Sequence, residues 1–266
     1  MNLVNRFKSY LVLSLVVAVF SVLSVSGLRA DNGFQELPAP QLVTNAWMYI
    51  VGYEADPEVL RELLPEGLEP HPSNRVVLNM YTVPDGANTS GFGDYTLTYL
   101  TIEVKDHDSY TKDAPAGYPG RYFAYYFNSS PIMRKFTREA GIPAQEGFTT
   151  TTVKDGKLTA ELTVDGKPFI VGTANVGTQH EGVVGGHLNY FGALEQGQTQ
   201  QVVKYPIPWI GRPVKTTNPQ VKFEMPKDHP LYKLKPKKID WAVWVEGSFV
   251  YPQYQVIHES TKTVKK

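Results

Sequence analysis

Two Asp-Gly pairs, Asp155-Gly156 and Asp165-Gly166, restrict the fold of this chain more than any other feature in it. Asp-Gly between alternating runs is the chemistry of a two-residue hairpin turn, in which both central residues take positive φ. The flanking runs Phe148–Val153, Lys157–Val164 and Lys167–Asn175 alternate as strands do. The spacing therefore predicts an antiparallel meander.

Elsewhere the pattern is also mainly β. Asn45–Tyr53 is apolar and aromatic and reads as a buried strand. Asp56-Pro57-Glu58 then opens a helix with a cap, a first-position proline and an acid in the first turn. Its buried face is Val59, Leu60, Leu63 and Leu64, and Pro65 ends it. Arg75–Val83 and Asp94–Val104 read as strands around the turn-rich loop Pro84–Gly93. Gly91-Phe92-Gly93 in that loop suits positive φ, and no helix start follows it to make a phosphate cradle. A second helix starts at the Ser130 cap and Pro131 and stops at Ala140-Gly141. The loop Ile142–Gly147 follows, held between a helix and a strand, where functional residues often sit. Gln201–Tyr205 and Val221–Met225 read as short strands between proline-rich turns, and Lys238–Tyr251 as a longer one.

Residues Met1–Ala30 read as a secretory signal, with Arg6 and Lys8 before an apolar core and Leu28-Arg29-Ala30 as the cleavage site. The alternative is an uncleaved anchor, and both place the folded part outside the cytoplasm. Loss of Arg6, Lys8 and Arg29 leaves 23 basic against 26 acidic side chains, a formal charge of −3. That is no footprint for nucleic acid or for anionic lipid, so neither is expected as a partner. The chain holds no cysteine, which excludes thiolate zinc sites and cysteine nucleophiles. Residues 31–259 are expected to form one domain, with 260–266 as a basic tail.

Thr178–Leu194 reads as a glycine-rich loop leading to the strand Leu188–Phe191. Gln179-His180-Glu181 and His187 carry the groups for a metal ligand or a base, but their spacing matches no helical pair. No metal and no cofactor are assigned.

Three stretches share a further pattern: YEADPEVLRELLPEGLEP, the run from Thr89 to Thr96, and Gly120–Glu139 with the Gly-Ile-Pro after it. Together with the closing Pro230-Leu231 phrase and its mixed-aromatic strand, they resemble the acetoacetate decarboxylase family from about Asn45 to Ile257. The resemblance implies a mainly antiparallel β fold of α+β type, a closed barrel-like sheet with two short helices and an interior cavity. It also implies a small-molecule substrate or ligand and self-association of the chain.

In that family a lysine pair forms and tunes a Schiff base with the substrate ketone. Here Ala144 and Gln145 stand in the lysine positions, after Arg138-Glu139 and Pro143. The family's pocket arginine falls near Ala46 and its two pocket glutamates near Asn79 and Leu97. An unperturbed lysine, with a pKa of about 10.4, is protonated near neutrality and cannot attack a carbonyl without such tuning. The expected pocket residues are therefore Ala46, Asn79, Tyr95, Leu97, Tyr122, Arg138, Glu139 and Gln145. Gln145 can hydrogen-bond a carbonyl, and Tyr95, Tyr99, Tyr122 and Tyr125 can orient an enol or simply fill the core. Two readings follow. One is an exported lyase-like enzyme acting on a small keto acid without the usual Schiff base. The other is a non-catalytic protein that binds a small apolar or aromatic ligand.

Overall fold

The computed structural model describes residue 37, residues 39–111 and residues 114–261, and these described residues form one compact unit. The signal-like Met1–Ala30 and the last five residues of the basic tail lie outside the described residues. The elements in order are β1 (Gln41–Glu54), α1 (Pro57–Leu63), β2 (Arg75–Val83), β3 (Tyr95–Thr111), β4 (Ala114–Asn128), α2 (Pro131–Glu139), β5 (Ala144–Glu146), β6 (Phe148–Lys154), β7 (Lys157–Val164), β8 (Lys167–His180), β9 (Val184–Gln196), β10 (Thr199–Phe223), β11 (Lys238–Tyr251) and β12 (Gln255–Thr261). Among the described residues the protein is mainly antiparallel β with two short α-helices.

The hairpin turns form as their chemistry requires. Asp155 and Asp165 both take φ 51°, and Gly156 and Gly166 both take φ 71°. Both helices are capped as expected: Asp56 accepts from the Glu58 N–H at 3.1 Å and Ser130 from the Met133 N–H at 3.3 Å.

The strands close on themselves. β3, β2, β1, β11, β10 and β9 pair in succession, and β9 returns to β3 both directly and through β4. The meander β6–β8 continues from β10 and folds over the outside of this ring. β1 consequently has core on both faces. Ala46 and Met48 turn to the cluster inside the ring, and Tyr49, Val51 and Tyr53 pack under the meander. That two-sided burial is why Asn45–Tyr53 reads as an unbroken apolar run and not as an alternating one.

Four expectations from the sequence need correction. The glycine-rich loop at Thr178–Leu194 is mostly strand: only residues 181–183 separate β8 from β9. Gly185, Gly186 and Gly192 serve close approach, and a Cβ on Gly186 would overlap the Tyr110 carbonyl of β3. Gln201–Tyr205 and Val221–Met225 belong to one region, with β10 running unbroken through Thr199–Phe223. The prolines there look like turn signals. Between Lys204 and Trp209, however, only β9 pairs with β10, so Pro206 and Pro208 sit on a local edge where proline is tolerated. The loop Ile142–Gly147 contains β5, which pairs in parallel with β4. Ser260 and Thr261, read with the tail, complete β12.

Candidate functional site

A cavity of about 430 Å³ occupies the inside of the ring. It opens beside Tyr118 and Ile210, both exposed. β1, β2, β3, β4, β9, β10 and β11 all contribute side chains to it. Much of the wall is apolar: Met48, Ile50, Leu188, Ile207, Val243 and Val245. Trp209, Trp241, Phe123 and Phe249 add aromatic faces. Gly52 makes room for one of them, because a Cβ there would overlap the Trp241 indole.

One side of the wall is polar. Asn79 of β2 lies opposite Tyr99 of β3 in the ladder. The Tyr99 and Tyr190 hydroxyls are 3.2 Å apart, and Tyr190 of β9 is the ladder neighbour of Arg121 of β4. Asn79, Tyr99, Tyr190 and Arg121 thus form a continuous stripe across four strands, and all four line the cavity. Beside it, the Tyr81 hydroxyl stands 2.9 Å from that of Tyr251 and 3.4 Å from that of Tyr95. Phe123 stacks on Tyr190 with ring centres 4.9 Å apart, which fixes the ring next to Arg121.

Burial sets the electrostatics. It pushes the phenols of Tyr81 and Tyr99 well above their ordinary value, so both stay protonated. Burial also opposes the charge of Arg121, but Tyr190, Glu103 and Tyr99 outweigh it and the guanidinium is held more firmly protonated. Glu103, opposite Arg121 in the ladder, is engaged elsewhere. Its Oε2 accepts from Ser73 at 2.9 Å and from Arg75 at 3.1 Å. Arg75 also donates to Asp240 Oδ2 at 3.1 Å through both Nε and Nη2.

Of the residues expected from the sequence, Asn79 lines the cavity. Ala46, Tyr95, Leu97 and Ala144 are buried in the core cluster around it, without reaching the space itself. Tyr122 packs outside the ring against Leu68, Val104 and Phe191. Arg138 and Glu139 are exposed at the end of α2, and the Arg138 Nε donates to the Ala144 carbonyl at 2.7 Å. Gln145 is exposed on β5. Tyr99 lines the cavity, whereas Tyr125 packs under the meander. His180 is engaged by Arg212 and lies 3.8 Å from Glu246, while His187 stacks on Tyr110.

Arg121 is the polar residue that sequence reading missed. A signal was present: it stands in GRYFAYYFN, a strand otherwise aromatic and small, two positions from Phe123 and so on the same face. A lone cation in such a strand must be buried or paired.

A profile for the family described as acetoacetate decarboxylase (ADC) matches residues 29–260. Over 146 residues the chain is 31% identical to an acetoacetate decarboxylase of Ralstonia nicotianae (strain ATCC BAA-1114 / GMI1000), which is 54% of this chain and 53% of that protein. The chain thus spans about half the length of the curated relatives it matches. A solved acetoacetate decarboxylase structure superimposes with a TM-score of 0.72 at 17% identity, covering 91% of this chain and 98% of the other. That of Legionella pneumophila superimposes with a TM-score of 0.69 at 16% identity, covering 89% and 97%. At such identities the likeness is one of fold.

Proposed function

The chain belongs to the acetoacetate decarboxylase family, and from that premise we propose that its cavity binds a small, mostly apolar molecule and performs no amine chemistry on it. One observation carries this reading: the described residues lining the cavity include no lysine, histidine, aspartate or glutamate. Imine formation needs an amine, and proton abstraction at neutral pH needs a base near its working pKa. The lining offers phenols that burial keeps protonated and a guanidinium that stays charged. Such groups donate and orient. The positions that match the family's lysines hold a buried methyl at Ala144 and an exposed amide at Gln145. The keto-acid enzyme reading lacks a group to carry the proton. The composition of Met1–Ala30 supports placing ligand capture outside the cytoplasm.

Trp209 and Trp241 line the cavity and report its occupancy. Titrating the mature protein with small ketones, aryl amides and aryl acids is expected to change tryptophan emission saturably for some members, one molecule per chain. Acetoacetate should release carbon dioxide at its uncatalysed rate throughout. Saturable acetoacetate turnover, or no emission change with any compound, would overturn the proposal.

A further inference from the structure

The polar atoms at the cavity wall are unbalanced in one direction. Among the lining residues four buried side-chain atoms have no hydrogen-bond partner: Asn79 Nδ2, Thr111 Oγ1, Arg121 Nε and Trp209 Nε1. Three of these are N–H groups that can only donate, and the fourth is a hydroxyl that is also able to. A buried donor without an acceptor is costly, and a buried cation without a counter-ion costs more. Arg121 is 6% exposed and Asn79 1% exposed. Arg121 forms no ion pair among the described residues, since the carboxylate opposite it is taken by Arg75 and Ser73. At the two ends of the stripe, Asn79 and Arg121 each hold an unpartnered N–H, with the Tyr99–Tyr190 hydroxyl pair between them.

We propose that the ligand of this cavity carries a carboxylate, held by Arg121 together with Tyr190, Tyr99 and Asn79, with its apolar body against Trp209, Trp241 and Ile207. This rests on the binding function proposed above and names its ligand class. A planar guanidinium suits a carboxylate, because its fork of N–H donors matches two oxygens at once. The phenol of Tyr99, which burial holds protonated, and the Tyr190 hydroxyl beside it complete the site. The arginine that does this lies on β4. It is not at Ala46, where the family's pocket arginine falls.

The test is calorimetric titration of the mature protein with straight-chain acids from butanoate to decanoate and with phenylacetate and phenylpropanoate. Each acid is paired with its own primary amide, which has nearly the same shape and no charge. Acids should bind roughly 10- to 100-fold more tightly than their amides, the range for hydrogen bonds to a charged group. Arg121→Gln should abolish that preference, bringing the acid and the amide of each pair within about threefold of each other, within the spread expected of a near-neutral change. An unchanged circular dichroism spectrum and denaturant midpoint of the variant show that it is folded. Arg121→Lys should keep part of the preference, since charge remains but the fork is lost. If amides bind as well as acids, or if Arg121→Gln still prefers acids, the carboxylate assignment fails and the binding function stands. If neither acids nor amides bind, both fail together.

Discussion

Replacing Arg75 with methionine is expected to destabilise the protein by about 3 kcal/mol or more, the usual result of removing one partner from a buried ion pair. The size follows from where the partners sit. Glu103 is 2% exposed, and Arg75 supplies the only ion pair its carboxylate makes among the described residues. Arg75 also joins three neighbouring strands of the ring, because it lies on β2, Glu103 on β3 and Asp240 on β11. Without the guanidinium, the buried Glu103 side chain keeps the Ser73 hydroxyl as its hydrogen-bond partner. Adding Glu103→Gln should recover much of the loss, since a neutral amide costs far less to bury than a carboxylate. Denaturant midpoints of the wild type, the single variant and the double variant check this. A loss below about 1 kcal/mol would place the pair among ordinary surface bridges. The same change bears on the cavity: a freed Glu103 is the anion nearest Arg121 in the ladder, so the acid preference should shrink in Arg75→Met and return in the double variant.

The second large effect concerns the position that matches the family's reactive lysine. Ala144→Lys is expected to cost about 3 kcal/mol, from overpacking together with desolvation of the amine. Ala144 is 3% exposed and shares its core cluster with Tyr95, Leu97, Tyr126 and Met133. The long side chain therefore enters packed core. Burial should push the new amine below the ordinary lysine value of about 10.4. The sign of the pH dependence follows. Between the folded and unfolded values the unfolded chain binds the proton and the folded chain does not, so the variant's stability deficit should shrink as pH rises toward about 10. Urea titrations at several pH values would show it. A variant as stable as wild type at neutral pH would mean that Ala144 borders open space, contrary to the packing described.

Local chemistry made much of the fold readable. The Asp-Gly turns, the Asp56 and Ser130 caps and the bounds of β2, β7 and β11 depend on neighbours in sequence, and they form where the residues require. The misreadings all involve partners far along the chain. Gly186 looks like a loop residue until Tyr110 packs against it, and Pro208 looks like a turn until the strand edge beside it is known to be open. The site was less legible for the same reason. Asn79, which lines the cavity, was an expected pocket residue because the family's pattern pointed to its strand. Arg121 becomes a ligand candidate only when β9 lies beside β4 and brings Tyr190 to it. Asn128-Ser129-Ser130 shows the converse: it matches the Asn-x-Ser pattern of a glycosylation acceptor, yet the Asn128 side chain is fully buried and its Oδ1 accepts from the Ser130 N–H at 2.7 Å.

The central claim is that this family member keeps the cavity and lacks the amine chemistry, and chemical trapping tests it most directly. The wild-type protein, produced without Met1–Ala30, would be incubated with acetoacetate or a β-diketone, reduced with borohydride and weighed intact by mass spectrometry. The account predicts the unmodified mass. A stable adduct mapped to a lysine would contradict it, because a reactive amine would then serve a cavity whose lining residues include none.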